Sequence, residues 1–247
     1  MQAFSLPKLL EHDIDGALAM LSGLRYQELE LFGPFPFSVQ AVQDQWKSMA
    51  TTLGFSGSGY FGLTAAQFRA RLDAHRLTSP STHIDLDTLR DRTDQVGEAA
   101  HTLGHKYVGL ALIPEERRKT LDDYRKMADE LNAIGTRAKG LGFKVLYHNH
   151  GYGFTPLEGQ IPTRVLFDRL DPTVVVRFEH GGTMQDFIAL MPAITPDGTG
   201  VLDLPRILGH AKKNGVEHFY VEQDLAADPP AQLGRSIRNL KAMNLAV

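Results

Sequence analysis

A chain of 247 residues, 43% hydrophobic and 22% charged, has enough apolar material for one large core, and no segment is polar enough to stay unfolded. Its net charge of −3 is spread along the chain and it contains no cysteine, which excludes the basic footprint of a nucleic-acid partner, disulfides, a thiolate nucleophile and zinc–thiolate sites. No stretch reaches the roughly 20 apolar residues that span a bilayer, and MQAFSLPKLLEHD shows no basic-then-apolar leader, so no membrane partner and a cytoplasmic location are expected.

Short apolar or β-branched runs alternate with longer helical patterns, the signature of βαβ units around a parallel sheet. The first strands are predicted at AFSL (3–6) and YQELELFG (26–33). PFPFSVQAVQDQWKSMATTLGFSGSGYFG (34–62) reads as a long loop with a short helix, of a length that marks a lid or binding loop. Its GFSGSGYFG lacks the Lys-Ser/Thr pair of a phosphate-cradling loop. Strands follow at SPSTHI (79–84) and KYVGLAL (106–112), with helices over 86–103 and 120–139 whose apolar residues recur every three to four positions. KVLYHNH (144–150) and TVVVRFE (173–179) are the next predicted strands, and TMQDFIALM is predicted as a helix. PAITPDGTG (192–200), with two prolines and two glycines, cannot make a central strand. A helix over 202–215, a strand at EHFYVEQ (217–223) and a helix over 230–243 complete the series. Gly104, Gly142 and Gly215 each mark a helix stop just before a strand. Seven strands interleaved with helices, and no linker, predict a single domain over 1–247: an eight-unit barrel whose seventh strand is not visible.

Barrel strands point alternate side chains into the lumen and out to the helices, with the active site at their carboxyl ends. Alternation puts His148 with His150, Glu28 with Glu30, and His83 with Ser81 and Asp85. In TVVVRFE, Val174, Val176 and Phe178 are apolar together, so Arg177 and Glu179 are expected inward. In EHFYVEQD, His218, Tyr220, Glu222 and Asp224 share the inward face. One such residue is most simply a hydrogen-bonded structural group. Five strands ending in His or Glu ask for more, because clustered buried carboxylates and imidazoles are costly unless paired or holding a cation.

In order, QELELFGPF, GYFGLTAAQFRARLDAHRL, THIDLDTL, DYRKMADELNAIG, VLYHNHGYGF, GTGVLDLPRIL and GVEHFYVEQD resemble the sugar phosphate isomerase/epimerase family with its xylose isomerase-like TIM barrel. The match runs over nearly the whole chain, and YHNH followed later by YVEQD is the specific pairing. The resemblance implies a (β/α)8 barrel, a divalent metal (Mn, Mg or Zn) at its mouth, and proton abstraction next to a carbonyl or hydroxyl of a sugar or cyclitol. It also implies Glu222 as a metal ligand that moves the proton, His148 or less directly His150 at the strand-five position, and Glu179 after Phe178 as a further ligand. Gly153 stands where relatives carry Glu, Gly181 where they carry Asp, and the strand-seven His-x-Lys-Asp motif has no counterpart. Either part of the natural chain is absent between Phe178 and Gly200, or the chain is a shortened form. The first is the expectation, since a barrel without an interior strand exposes the backbone groups of its two neighbours.

Enolate chemistry needs a base, a group to hold the developing oxyanion, and exclusion of water. A divalent ion held by carboxylate and imidazole supplies the second. Glu222, His148 and His150 are therefore the predicted catalytic residues, Glu222, Glu179 and His148 the metal ligands, and Glu30, His83 and Phe32 the substrate contacts. Plain structural readings stand beside these: Glu222 paired with a neighbouring His or Arg, the histidines orienting other groups, Glu179 paired with Arg177, and Phe32, Phe35, Phe37, Trp46, Tyr60 and Phe61 packing the long loop down. The alternative functions are a lyase or dehydratase acting on a 3-keto sugar or cyclitol, and a sugar-binding barrel that lost its metal. The endonuclease branch of the same barrel fits the acidic charge balance poorly, and a homo-oligomer is left open.

Overall fold

Successive βα units organise the computed structural model, which describes residues 1–148, 151–173, 175–178, 195–200, 202–213 and 215–243. The parallel sheet comprises β1 (Leu31–Phe32), β2 (Ser81–Ile84), β3 (Tyr107–Leu110), β4 (Lys144–His148) and β5 (Val175–Phe178), in the order β1-β2-β3-β4-β5. Each strand lies beside its successor, with no reversal of order. That is the winding of a barrel rather than of a doubly wound sheet, which has a switch point.

Helices fill the connections: α1 (Pro7–His12), α2 (Ile14–Gly23), α3 (Gln40–Leu53), α4 (Ala65–Ala74), α5 (Leu86–Asp91), α6 (Thr93–Leu103), α7 (Leu121–Gly140), α8 (Pro162–Arg169), α9 (Leu204–Lys213) and α10 (Pro229–Ala242). Local chemistry sets their ends. Reciprocal capping boxes at Thr64/Gln67 and Thr120/Asp123 start α4 and α7, and Gly104, at φ +81°, ends α6 in the left-handed region that favours glycine. The helix predicted over 86–103 breaks at Arg92 (φ −125°), after which Thr93 Oγ1 donates to the carbonyls of Leu89 and Arg90.

Two predicted strands differ. Residues 3–6 hold a 3-10 turn, Ala3–Ser5, because the Gln2 side chain takes the Phe4 N–H and the Leu6 N–H returns to Ala3 O, leaving little backbone for a ladder. Residues 217–223 form no strand among the described residues. Both segments still continue the sheet's curve past β1: Gln2 bridges Glu30 in parallel, Ala3 N–H donates to Glu30 O at 2.9 Å, and Gln2 N–H donates to Val221 O at 2.9 Å. Tyr26 Oη donates to Leu233 O at 3.0 Å, tying the chain before β1 to α10. The sequence runs unbroken from Phe178 to Gly200. Positions 179–194, with TMQDFIALM, lie outside the described residues.

The register sorts the faces. Phe32, His83, Gly109 and Leu146 form one row, and a Cβ built on Gly109 would meet His83 Cδ2 at 3.0 Å and Leu146 Cδ2 at 3.2 Å. These positions, with Glu30, Ser81 and His148, line the lumen. Thr82, Val108 and Tyr147 face the helices, where the Tyr147 ring meets Phe167 of α8. Position 177 pairs with Tyr147 and position 178 with His148.

Candidate active site

Inside the lumen a chain of polar contacts runs across three strands. Ser81 Oγ donates to Glu30 Oε1 at 2.5 Å, and Glu30 Oε2 lies 3.4 Å from His83 Nε2. Gln2 fixes the proton positions. Its Oε1 accepts the Phe4 N–H, so its Nε2 is the donor to His83 Nδ1 at 3.3 Å, and the His83 proton sits on Nε2, on the side of the ring nearer Glu30. The His148 ring packs edge-on against His83, centroids 4.6 Å apart. Glu30, His83 and His148 are 5%, 8% and 5% exposed, so this network is shielded from bulk water and its hydrogen bonds are correspondingly strong.

Glu222 joins from the other side of β1. Burial first, then the negative charges of Asp224 and Glu30, hold its carboxyl well above the ordinary carboxylate range. Asp224 is hydrogen-bonded to Glu222 and is itself raised by burial. Like charges this close cannot both ionise, so the pair retains a proton. Asp224 Oδ1 is a buried oxygen with no hydrogen-bond partner in the structure, so this end of the network has unused acceptor capacity.

Toward the amino ends of the strands a second polar group forms the floor. His218 Nδ1 lies 2.9 Å from both oxygens of Glu28, the Tyr107 ring stands 5.8 Å from that of His218, and burial, then Glu30 and Glu28, raise the Tyr220 hydroxyl pKa. The inward face expected for His218, Tyr220, Glu222 and Asp224 is the one these contacts describe.

Of the predicted site residues, Glu222, Glu30, His83 and His148 come together, joined through Glu30 and His83. Phe32 lies at the edge of this group, 6% exposed, with its ring committed to Phe4, Trp46 and Phe61 at centroid distances of 5.2, 5.9 and 6.0 Å. It is part of an aromatic roof laid down by the 34–62 segment. That segment carries the 14-residue helix α3, longer than the short helix expected, and Gly59 N–H anchors it to Phe32 O at 2.9 Å. His150 and Glu179 lie outside the described residues. Gln2, Ser81 and Asp224 belong to the group although sequence reasoning gave them no role. Ser81 and Asp224 could have been found from their shared parity with His83 and Glu222, whereas nothing in the sequence marks Gln2.

Carboxylate oxygen and imidazole nitrogen suit Mn, Mg or Zn, and the unpartnered Asp224 Oδ1 would gain from a cation. Among the described residues, however, no three His, Asp or Glu side chains are grouped so as to hold one. Among the described residues the donor types fit and the donor count does not.

No protein-family model matches the sequence, and no curated protein matches it. Solved structures do. A sugar phosphate isomerase/epimerase from Parabacteroides distasonis ATCC 8503 superposes with TM-score 0.75 at 19% identity, covering 98% of this chain and 92% of that one. A xylose isomerase domain containing protein from Salmonella typhimurium LT2 gives 0.60 at 13% identity, covering 99% and 96%. D-Psicose 3-epimerase from Clostridium cellulolyticum H10, solved with D-tagatose, gives 0.56 at 11% identity, covering 94% and 93%. At these identities the likeness establishes architecture: the fold is the xylose isomerase-like TIM barrel.

Proposed function

We propose that this barrel is a sugar isomerase or epimerase that moves a proton on the carbon next to a carbonyl. The observation that carries the reading is the convergence of Glu222, Glu30, His83 and His148, drawn from four separate segments, inside the lumen of a fold that places chemistry at its strand ends. In this reading the Glu222–Asp224 pair, which shares one proton, carries the proton to and from the substrate carbon. His148 and His150 serve the second acid–base position. Glu30 and His83 satisfy each other, so their part is to hold a fixed polar wall against which the sugar hydroxyls align. Phe32 and the aromatic roof exclude water from that wall.

Glu222 and His148, with Glu179 as a third donor, would hold a divalent Mn, Mg or Zn ion. Such an ion supplies polarisation of the substrate oxygen when bound. A ketohexose such as the D-psicose or D-tagatose named for the epimerase neighbour is the first substrate to try, and a 3-keto sugar or cyclitol, acted on by a lyase or dehydratase through the same enolate chemistry, the second. A sugar-binding barrel without catalysis is favoured by one observation, the mutual satisfaction of Ser81, Glu30, His83 and Gln2.

The test is incubation of the protein with each sugar in D2O and Mn, followed by NMR. Deuterium entering at the carbon beside the carbonyl, lost in Glu222→Gln, supports the enzyme. Tight sugar binding with no exchange at any carbon supports the binding barrel instead.

A further inference from the structure

We propose that an internal water molecule, held by Tyr60, Thr82 and His105, ties the aromatic roof to the outer face of β2. A cavity between β2, β3, α6 and the roof is lined by these three residues and by apolar groups including Ile84, Val96 and Val108. It leaves about 10 Å³ for the centre of a water molecule, which is the room one water needs. Tyr60, Thr82 and His105 are 3%, 3% and 5% exposed. Tyr60 Oη, Thr82 Oγ1 and His105 Nε2 are each buried without a hydrogen-bond partner in the structure. All three residues line this one small cavity, and buried hydroxyls and imidazoles are almost always bonded.

The donors and acceptors match. His105 Nδ1 lies 2.5 Å from Ser79 O, and a carbonyl can only accept, so the ring proton is on Nδ1 and Nε2 is an acceptor. The Tyr60 hydroxyl is free to donate. A water accepting from Tyr60 Oη, donating to His105 Nε2 and bonded to Thr82 Oγ1 makes about three bonds, the usual number for an internal water. Thr82 stands between Ser81 and His83 and points to the opposite side of the strand, so the bridge braces the outer face of the residue pair that builds the lumen wall. It lies outside the proposed active site and does not depend on the enzymatic reading.

A high-resolution crystal structure of the full chain tests this. The expected result is an ordered water about 2.7–3.2 Å from Tyr60 Oη, Thr82 Oγ1 and His105 Nε2. A dry cavity, or direct bonds among the three side chains, overturns it. The double variant Tyr60→Phe/Thr82→Val should lose the water peak, and persistence of that peak would also overturn the assignment. Should the variant fail to fold, NMR on the wild-type protein decides. An Nδ1–H tautomer of His105 with a cross-peak to a long-lived water upholds the bridge, and an Nε2–H tautomer or no such cross-peak contradicts it.

Discussion

Replacing Gly109 by alanine should strain the lumen wall. The new Cβ would lie 3.0 Å from His83 Cδ2 and 3.2 Å from Leu146 Cδ2, inside the 3.5–4.0 Å at which carbon atoms rest. His83 cannot step aside, because Gln2 and Glu30 hold its two ring nitrogens and the His148 ring stands 4.6 Å away. Overpacking of this kind costs about 1–3 kcal/mol, offset by the roughly 0.5–1 kcal/mol that alanine gains over glycine in backbone entropy, so a net loss of about 0.5–2 kcal/mol is expected. Urea unfolding with an unchanged m-value measures it. Gly140→Ala is the control: it sits at the end of α7 with nothing within 4 Å of its Cβ, and should gain up to about 1 kcal/mol. An unfolding midpoint for Gly109→Ala equal to or above wild type would refute the packing of His83.

Other consequences follow from single groups. Burial lowers His105 to about 4 from the ordinary imidazole value of 6.5, so below pH 6.5 the unfolded chain takes up a proton that the folded chain refuses. Stability should therefore fall as pH drops from about 6.5 to about 4, by about 3 kcal/mol in all, and His105→Gln should flatten that slope in denaturation curves taken across the range. Tyr26→Phe leaves Leu233 O without its donor and should cost about 1 kcal/mol, read by urea unfolding; no change would mean that the link to α10 is not part of the folded core. Manganese at a hundredfold its Kd should add about 2.7 kcal/mol of stability, seen as a rise in Tm that Glu222→Gln abolishes. An equal rise in both proteins would place the ion elsewhere.

The sheet was legible where strand signals were short and bounded by glycine or helix caps. The strands predicted at 79–84, 106–112, 144–150 and 173–179 contain β2, β3, β4 and β5. The helix in the roof was underestimated although Val42, Trp46, Met49 and Leu53 recur at helical spacing; none of its residues is fully buried, and Trp46 packs on Phe32 and Phe55. AFSL has strand-like composition, yet one glutamine side chain captures the backbone and turns it. The site was legible in part, since parity brought Glu30, His83 and Glu222 to one face from strand-end chemistry alone. Gln2, which sets the His83 tautomer, sits in a segment whose sequence gives no sign of the partner it will meet 81 positions later.

A crystal structure of the protein with a bound ketose tests the central claim most directly. The account predicts the sugar in the barrel mouth, with its carbonyl-flanking carbon against the Glu222 carboxyl and its hydroxyls along the Glu30–His83–His148 wall. A sugar lodged outside the lumen, with Glu222 touching protein groups alone, would contradict it.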